Sequence, residues 1–179
     1  TLVKLLNKFY FFASKVIQLY NGSVNHCAEG EIVVNFGDVQ PEEEQSFYAV
    51  CTAQLFLLLV DDLGNIEDER IAVKFRLAVH SGHTINGLYS PIKQDSSNLT
   101  GRTLDLVREI CNEAPDNAIL ISEPAFENAG AGTRVEAEEF KVVGDEEALT
   151  IYLSVAPSSD YALLLERQAI QLFTMYADD

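Results

Sequence analysis

The order of elements between Ile71 and Glu123 constrains the fold most. The segment begins IAVKFRLAVHSGHTINGLYS, and Ile71, Val73, Phe75, Leu77 and Val79 alternate with polar or small residues. That period of two predicts a strand over 71–80 with one apolar face. Ser81-Gly82 then reads as a turn, with Thr84 to Tyr89 returning as a second strand, and Pro91 to Ser97 is a polar loop. The continuation NLTGRTLDLVREICNEAPDNAILISE switches period. Gly101 opens a helix over 103–111 with Leu104, Val107, Ile110 and Cys111 on one face, and Ala118 to Ile121 is a short buried strand.

The flanking regions follow the same logic. Leu2, Leu6, Phe9, Phe12, Val16 and Tyr20 sit at helical spacing, widened by Phe11, Ile17 and Leu19, and Asn21-Gly22 is a good helix stop. Residues 23–36 read as a hairpin, with Val24 and Ile32-Val33-Val34 in its strands and Glu29-Gly30 at its turn. Pro41 followed by Glu42, Glu43 and Glu44 starts a helix that runs to about Leu63, because the acids complement its dipole. Asn65 to Arg70 is an acidic connecting loop. Pro124 to Asn128 forms one helical turn, and Arg134 to Phe140 and Leu149 to Val155 are closing strands. Ser158 to Asp179 becomes an amphipathic helix whose stripe is Tyr161, Leu164, Leu165, Leu172 and Met175. Helices alternating with hairpins imply an α+β, ferredoxin-like layout: a mostly antiparallel sheet with helices packed on it.

Charge narrows the partners. The 179 residues carry 28 Asp and Glu against 12 Lys and Arg, a formal charge of −16. Such a surface repels phosphate backbones and anionic membranes, so neither nucleic acid nor a lipid surface is an expected partner. The longest apolar run, Leu55 to Val60, is far shorter than the roughly 20 residues of a membrane span. The chain opens directly in a helical pattern without Met, so it is expected to be a piece of a longer protein, and membrane contact is expected only through an upstream segment, if one carries an anchor. Cys27, Cys51 and Cys111 are odd in number and far apart, which points to reduced thiols and a cytoplasmic compartment.

The run LVKLLNKFYFFASKVIQLYNGSVNHCAEGEIVVNFGD, together with the Gly-opened helix after Asn98, resembles a class III adenylate/guanylate cyclase homology domain. The resemblance spans most of residues 1–155. It implies a cyclase-homology domain over 1–156, lacking the family's first strand and hence a central member of the sheet, followed by a C-terminal helix over 157–179. It also implies head-to-tail pairing, as a homodimer or with a related domain.

The family's chemical positions, carried over one at a time, hold other residues. Anchoring on Phe36 puts Glu29 at the family's hairpin Gly and Gly30 at its metal-binding Asp. His26 stands where the family has a purine-selecting Lys, and Asn98 where it has a second selector. Four and eight residues after Gly101 the family has a transition-state Asn and Arg; here these are Asp105 and Glu109. Arg108 is adjacent but about 100° away around the helix. Cyclisation needs cations around a triphosphate, because negative charge grows on the leaving pyrophosphate. The resemblance therefore implies a degenerate domain acting in dimerisation or signal transmission, with no catalytic residue, metal or cofactor. The alternatives are a nucleotide-binding sensor and a cyclase subunit active only with a competent partner.

Other residues have bland readings. His80 and His83 flank a turn without an evident third ligand. Glu29, Glu31 and Asp38 read as a solvated acidic rim. Arg102, at a helix N-terminus, and Lys141 are candidate contacts for an anionic ligand, as is Lys93, set against the ordinary reading of surface cations.

Overall fold

The computed structural model describes residues 1–28, 30–37, 41–83, 85–87, 98–100, 102–144, 147–157 and 159–178. The fold is α+β. Helix α1 (Leu2–Leu19) leads to the hairpin β1 (Ser23–Ala28) and β2 (Glu31–Asn35), and then to the long α2 (Glu42–Leu63). A miniature hairpin, β3 (Asn65–Ile66) and β4 (Glu69–Arg70), precedes β5 (Arg76–Val79). Next come β6 (Ile85–Gly87), β7 (Asn98–Thr100), α3 (Arg102–Glu113), β8 (Ala118–Ser122) and α4 (Glu123–Asn128). Strands β9 (Val135–Val143) and β10 (Leu149–Pro157) close the sheet, and α5 (Ser159–Ala177) ends the chain.

The main sheet has the order β5-β8-β10-β9. β10 runs antiparallel to both β8 and β9, whereas β5 runs parallel to β8 with Val79 opposite Ile121. Alternation along β8 divides the core. Ile119 and Ile121 face the larger cluster built with α1, α2, α4 and α5, while Leu120 joins Ile110, Val143 and Ile151 beneath α3. The β1–β2 hairpin is hydrogen-bonded separately, and among the described residues no strand joins it to the main sheet.

Helix α2 is the centre of the larger core. Residues 50–56 are buried without a break, so the helix is covered all round by its neighbours. By length and composition alone it could cross a membrane, but 67% of its apolar window is buried inside the fold. Helix α1 ends in a Schellman turn. Asn21 adopts φ 57°, its N–H donates to the Gln18 carbonyl at 3.1 Å, and the Gly22 N–H donates to Ile17 at 2.9 Å.

Several expectations need correction. The segment 71–80 forms a ladder only from Arg76. Upstream, Asn117 takes the place of a neighbouring strand: its N–H donates to the Phe75 carbonyl at 2.6 Å, and its side-chain oxygen accepts from the Phe75 N–H at 2.8 Å. Residues 85–87 do not return along β5; they pair with 98–100, and β5 pairs with β8 instead. Asn65 to Arg70 is a hairpin with Glu67 at φ 54°, not an open loop. Leu2 and Leu6 are exposed, and the buried stripe of α1 is Lys8, Phe12, Ala13, Val16 and Ile17. On α5, Leu164 and Met175 are exposed; the buried face is Leu165, Ala169 and Leu172, flanked by Tyr161, Phe173 and Tyr176. That face packs within the chain against α1 and α2.

Candidate functional site

The hairpin and α3 carry the positions of interest. At the tip, Gly30 adopts φ +78°, a left-handed conformation that glycine reaches without strain, and a Cβ there would meet nothing within 4 Å. Beside it, Glu31 on β2 receives two donors from α3: Arg108 Nε at 3.0 Å and Nη2 at 2.9 Å, both on Oε1. His26, opposite Val33 in the hairpin register, brings Nε2 within 3.8 Å of the same oxygen. The guanidinium nearest the hairpin is therefore already matched with a carboxylate of the chain itself. Sequence reasoning placed Arg108 off the family's position but did not foresee this partner. No local signal marks the pair, because its two residues are 77 apart in sequence.

Asp105 and Glu109 lie on the exposed face of α3, four residues apart. The middle of this helix thus shows these two carboxylates to solvent, while its one mid-helix cation is directed to Glu31. Asn98 sits in β7 opposite Gly87. Glu29, Asp38, Lys93 and Gly101 lie outside the described residues.

The two candidate anion contacts do not converge. Arg102 Nε is 4.0 Å from Glu147, at the first turn of α3. Lys141 on β9 pairs with Glu113 at 2.7 Å, at the last turn. The partners Arg102 and Glu113 are separated by about 16 Å of helix at ~1.5 Å per residue. Each cation already faces a carboxylate, so one ligand cannot take both.

The two histidines also diverge. His80, at the end of β5, places Nδ1 2.7 Å from the hydroxyl of fully buried Ser122 on β8, and burial lowers its pKa. His83 is exposed, and its carbonyl accepts from the Thr103 hydroxyl. Gly82 between them is closely packed, since a Cβ there would lie 2.6 Å from that hydroxyl. Among the described residues no three His, Cys, Asp or Glu side chains gather as metal ligands would.

Two further cations escaped sequence reasoning. Lys8 is buried and donates to the Asp62 carbonyl in the last turn of α2 and to the Asn65 carbonyl at the start of β3, the latter at 3.0 Å, and it pairs with the Asp62 carboxylate at 2.9 Å. Arg134 grips Glu44 with both terminal nitrogens, at 3.1 and 3.0 Å, and stacks 3.4 Å from the Phe47 ring centroid.

No protein-family profile and no curated protein matches the sequence. Solved structures do match. The adenylyl cyclase CyaB from P. aeruginosa is 19% identical with a TM-score of 0.75, over 89% of this chain and 84% of that one. The guanylate cyclase domain of RhGC from Catenaria anguillulae, solved with GTP, is 13% identical with a TM-score of 0.75, over 88% and 85%. A dimeric guanylyl cyclase domain of the RhoGC fusion protein from Blastocladiella emersonii is 16% identical with a TM-score of 0.73, over 88% and 84%. At these identities the likeness is one of fold: the chain has the class III nucleotide cyclase fold.

Proposed function

We propose that this cyclase-fold chain is a non-catalytic domain that works by contact, pairing with a second copy or a related domain to transmit a signal. The observation that carries the reading is the Glu31–Arg108 pair beside a hairpin tip occupied by Gly30. Where cyclase chemistry calls for a metal carboxylate and unpaired cations, this chain offers glycine, a neutralised guanidinium and the exposed carboxylates Asp105 and Glu109. Removing one oriented electrostatic contact typically lowers a rate about 10²–10³-fold, so several such changes together favour a role without turnover. The reading keeps the cytoplasmic compartment expected from the three thiols.

Pairing between copies that each carry −16 is opposed by long-range repulsion, which salt screens within about 10 Å at ~0.1 M. Sedimentation velocity over a range of concentrations and salt tests this. The expected result is a mass that rises toward a dimer with concentration, at lower concentration as salt increases. A monomer at every concentration and salt level contradicts pairing between copies.

A further inference from the structure

The turn that joins α1 to the hairpin holds a reactive pair that the candidate site does not use. Asn21 is followed directly by Gly22. An asparagine before glycine is prone to spontaneous deamidation, because glycine has no side chain to shield its own backbone nitrogen. That nitrogen loses its proton and bonds to the side-chain carbonyl carbon of the asparagine. The bond from that carbon to the amide nitrogen breaks, and ammonia leaves. Water then opens the five-membered imide at either carbonyl, which gives aspartate or isoaspartate.

The folded turn blocks the first step. The Gly22 N–H donates to the Ile17 carbonyl at 2.9 Å, so the attacking nitrogen is engaged and aimed back along α1. Asn21 is fixed at φ 57°, with its own N–H on the Gln18 carbonyl at 3.1 Å. Packing holds the arrangement in place. A Cβ on Gly22 would lie 2.8 Å from Val34 Cγ1 and 3.0 Å from the Phe36 ring, so this backbone cannot swing toward the Asn21 side chain without displacing the hairpin. Asn21 is exposed, so water reaches the pair once the turn opens.

We propose that Asn21–Gly22 is a modification site gated by local unfolding: it converts to aspartate or isoaspartate when the end of α1 opens, and not while the turn is closed. Closing does not reverse the change. Isoaspartate routes the chain through the side-chain carbon and adds one atom to the backbone between α1 and β1. The bond from Gly22 to Ile17 then cannot re-form with Val34 and Phe36 in place. Aspartate instead puts a negative charge at the C-terminus of α1, where the helix dipole opposes it. A transient opening thereby becomes permanent damage at the base of the hairpin that carries Gly30 and Glu31. The site is independent of the pairing role proposed above.

The full chain is incubated at neutral pH and body temperature, and conversion at position 21 is followed by peptide mapping with isoaspartyl methylation. The synthetic peptide Gln18–Asn25 and the full chain unfolded in urea give the unprotected rate. The folded chain should convert at least about a hundredfold more slowly, because the chemistry is slow relative to opening and so follows the open population. Val34→Ala removes a side chain packed on Gly22 and should speed conversion about fivefold. Lys4→Met, about 25 Å away along α1, should leave the rate unchanged. Conversion of the folded chain at the peptide's rate, an unfolded chain that does not convert at position 21, a Val34→Ala protein as slow as the parent, or equal acceleration by Lys4→Met would each overturn the proposal.

Discussion

Replacing Lys8 by Met isolates the contribution of one buried cation. The side chain is 6% exposed, and its ammonium reaches three acceptors: the Asp62 carbonyl in the last turn of α2, the Asn65 carbonyl just beyond that helix and the Asp62 carboxylate. Methionine keeps the apolar stem and the packing on Tyr176, whose ring centroid is 5.5 Å from the nitrogen. What disappears is the charge and its hydrogen bonds. Breaking a buried pair typically costs about 3–5 kcal/mol. Asp62 is 39% exposed and can rehydrate, which lowers the expected loss to about 2–4 kcal/mol. At this chain length that is a fall of about 5–15 °C in Tm. Calorimetry measures it directly. Lys4→Met is the internal control, because Lys4 and Glu67 are 56% and 67% exposed. Its Tm should not move measurably, as exposed pairs contribute little. A Lys8→Met protein as stable as the parent, or a Lys4→Met protein equally destabilised, would refute the reasoning that burial and carbonyl capping give Lys8 its weight.

His80 predicts a pH dependence. Burial holds its folded pKa below the ordinary value of about 6.5, so the unfolded chain binds more protons in that region. Stability should therefore be full above pH ~6.5 and fall as pH drops through it. His80→Gln, which keeps a partner for Ser122, should flatten that slope in urea titrations between about pH 7.5 and 5.5; an unchanged slope would assign it to other groups. Gly30→Asp puts a carboxylate at the hairpin tip. Its Cβ has open space, so the cost is the strained φ of +78°, about 1 kcal/mol by thermal melt. The variant should still form no cyclic nucleotide, because Asp105 and Glu109 are unchanged; turnover by it would show that the hairpin alone limits the chemistry.

Much of the fold was legible because apolar periodicity reports faces. The α1 and α3 helices, the 23–36 hairpin and β8 all announce themselves in this way. Neighbours are another matter. The alternation from Ile71 to Val79 says which side chains point inward but not which strand lies alongside, so the parallel partner β8 was not foreseen. The ladder also stops short of that pattern, because Asn117 satisfies the backbone at Phe75 with its own side chain. The roles of Lys8 and Arg134 were not legible, since a lone cation in a sequence gives no sign of a buried acceptor. On α5 the expected stripe caught Tyr161, Leu165 and Leu172, but Leu164 and Met175 lie off the buried face, where Ala169, Phe173 and Tyr176 complete the packing. Glu31–Arg108 joins residues 77 apart in sequence, and no local pattern encodes it.

Incubation of the purified chain with ATP or GTP, in the presence of magnesium or manganese, tests the central claim most directly. With Gly30 at the tip, Arg108 paired to Glu31, and Asp105 and Glu109 on α3, the account predicts that neither cyclic AMP nor cyclic GMP forms above the level of a protein-free control. Metal-dependent accumulation of either product that scales with protein concentration would contradict it.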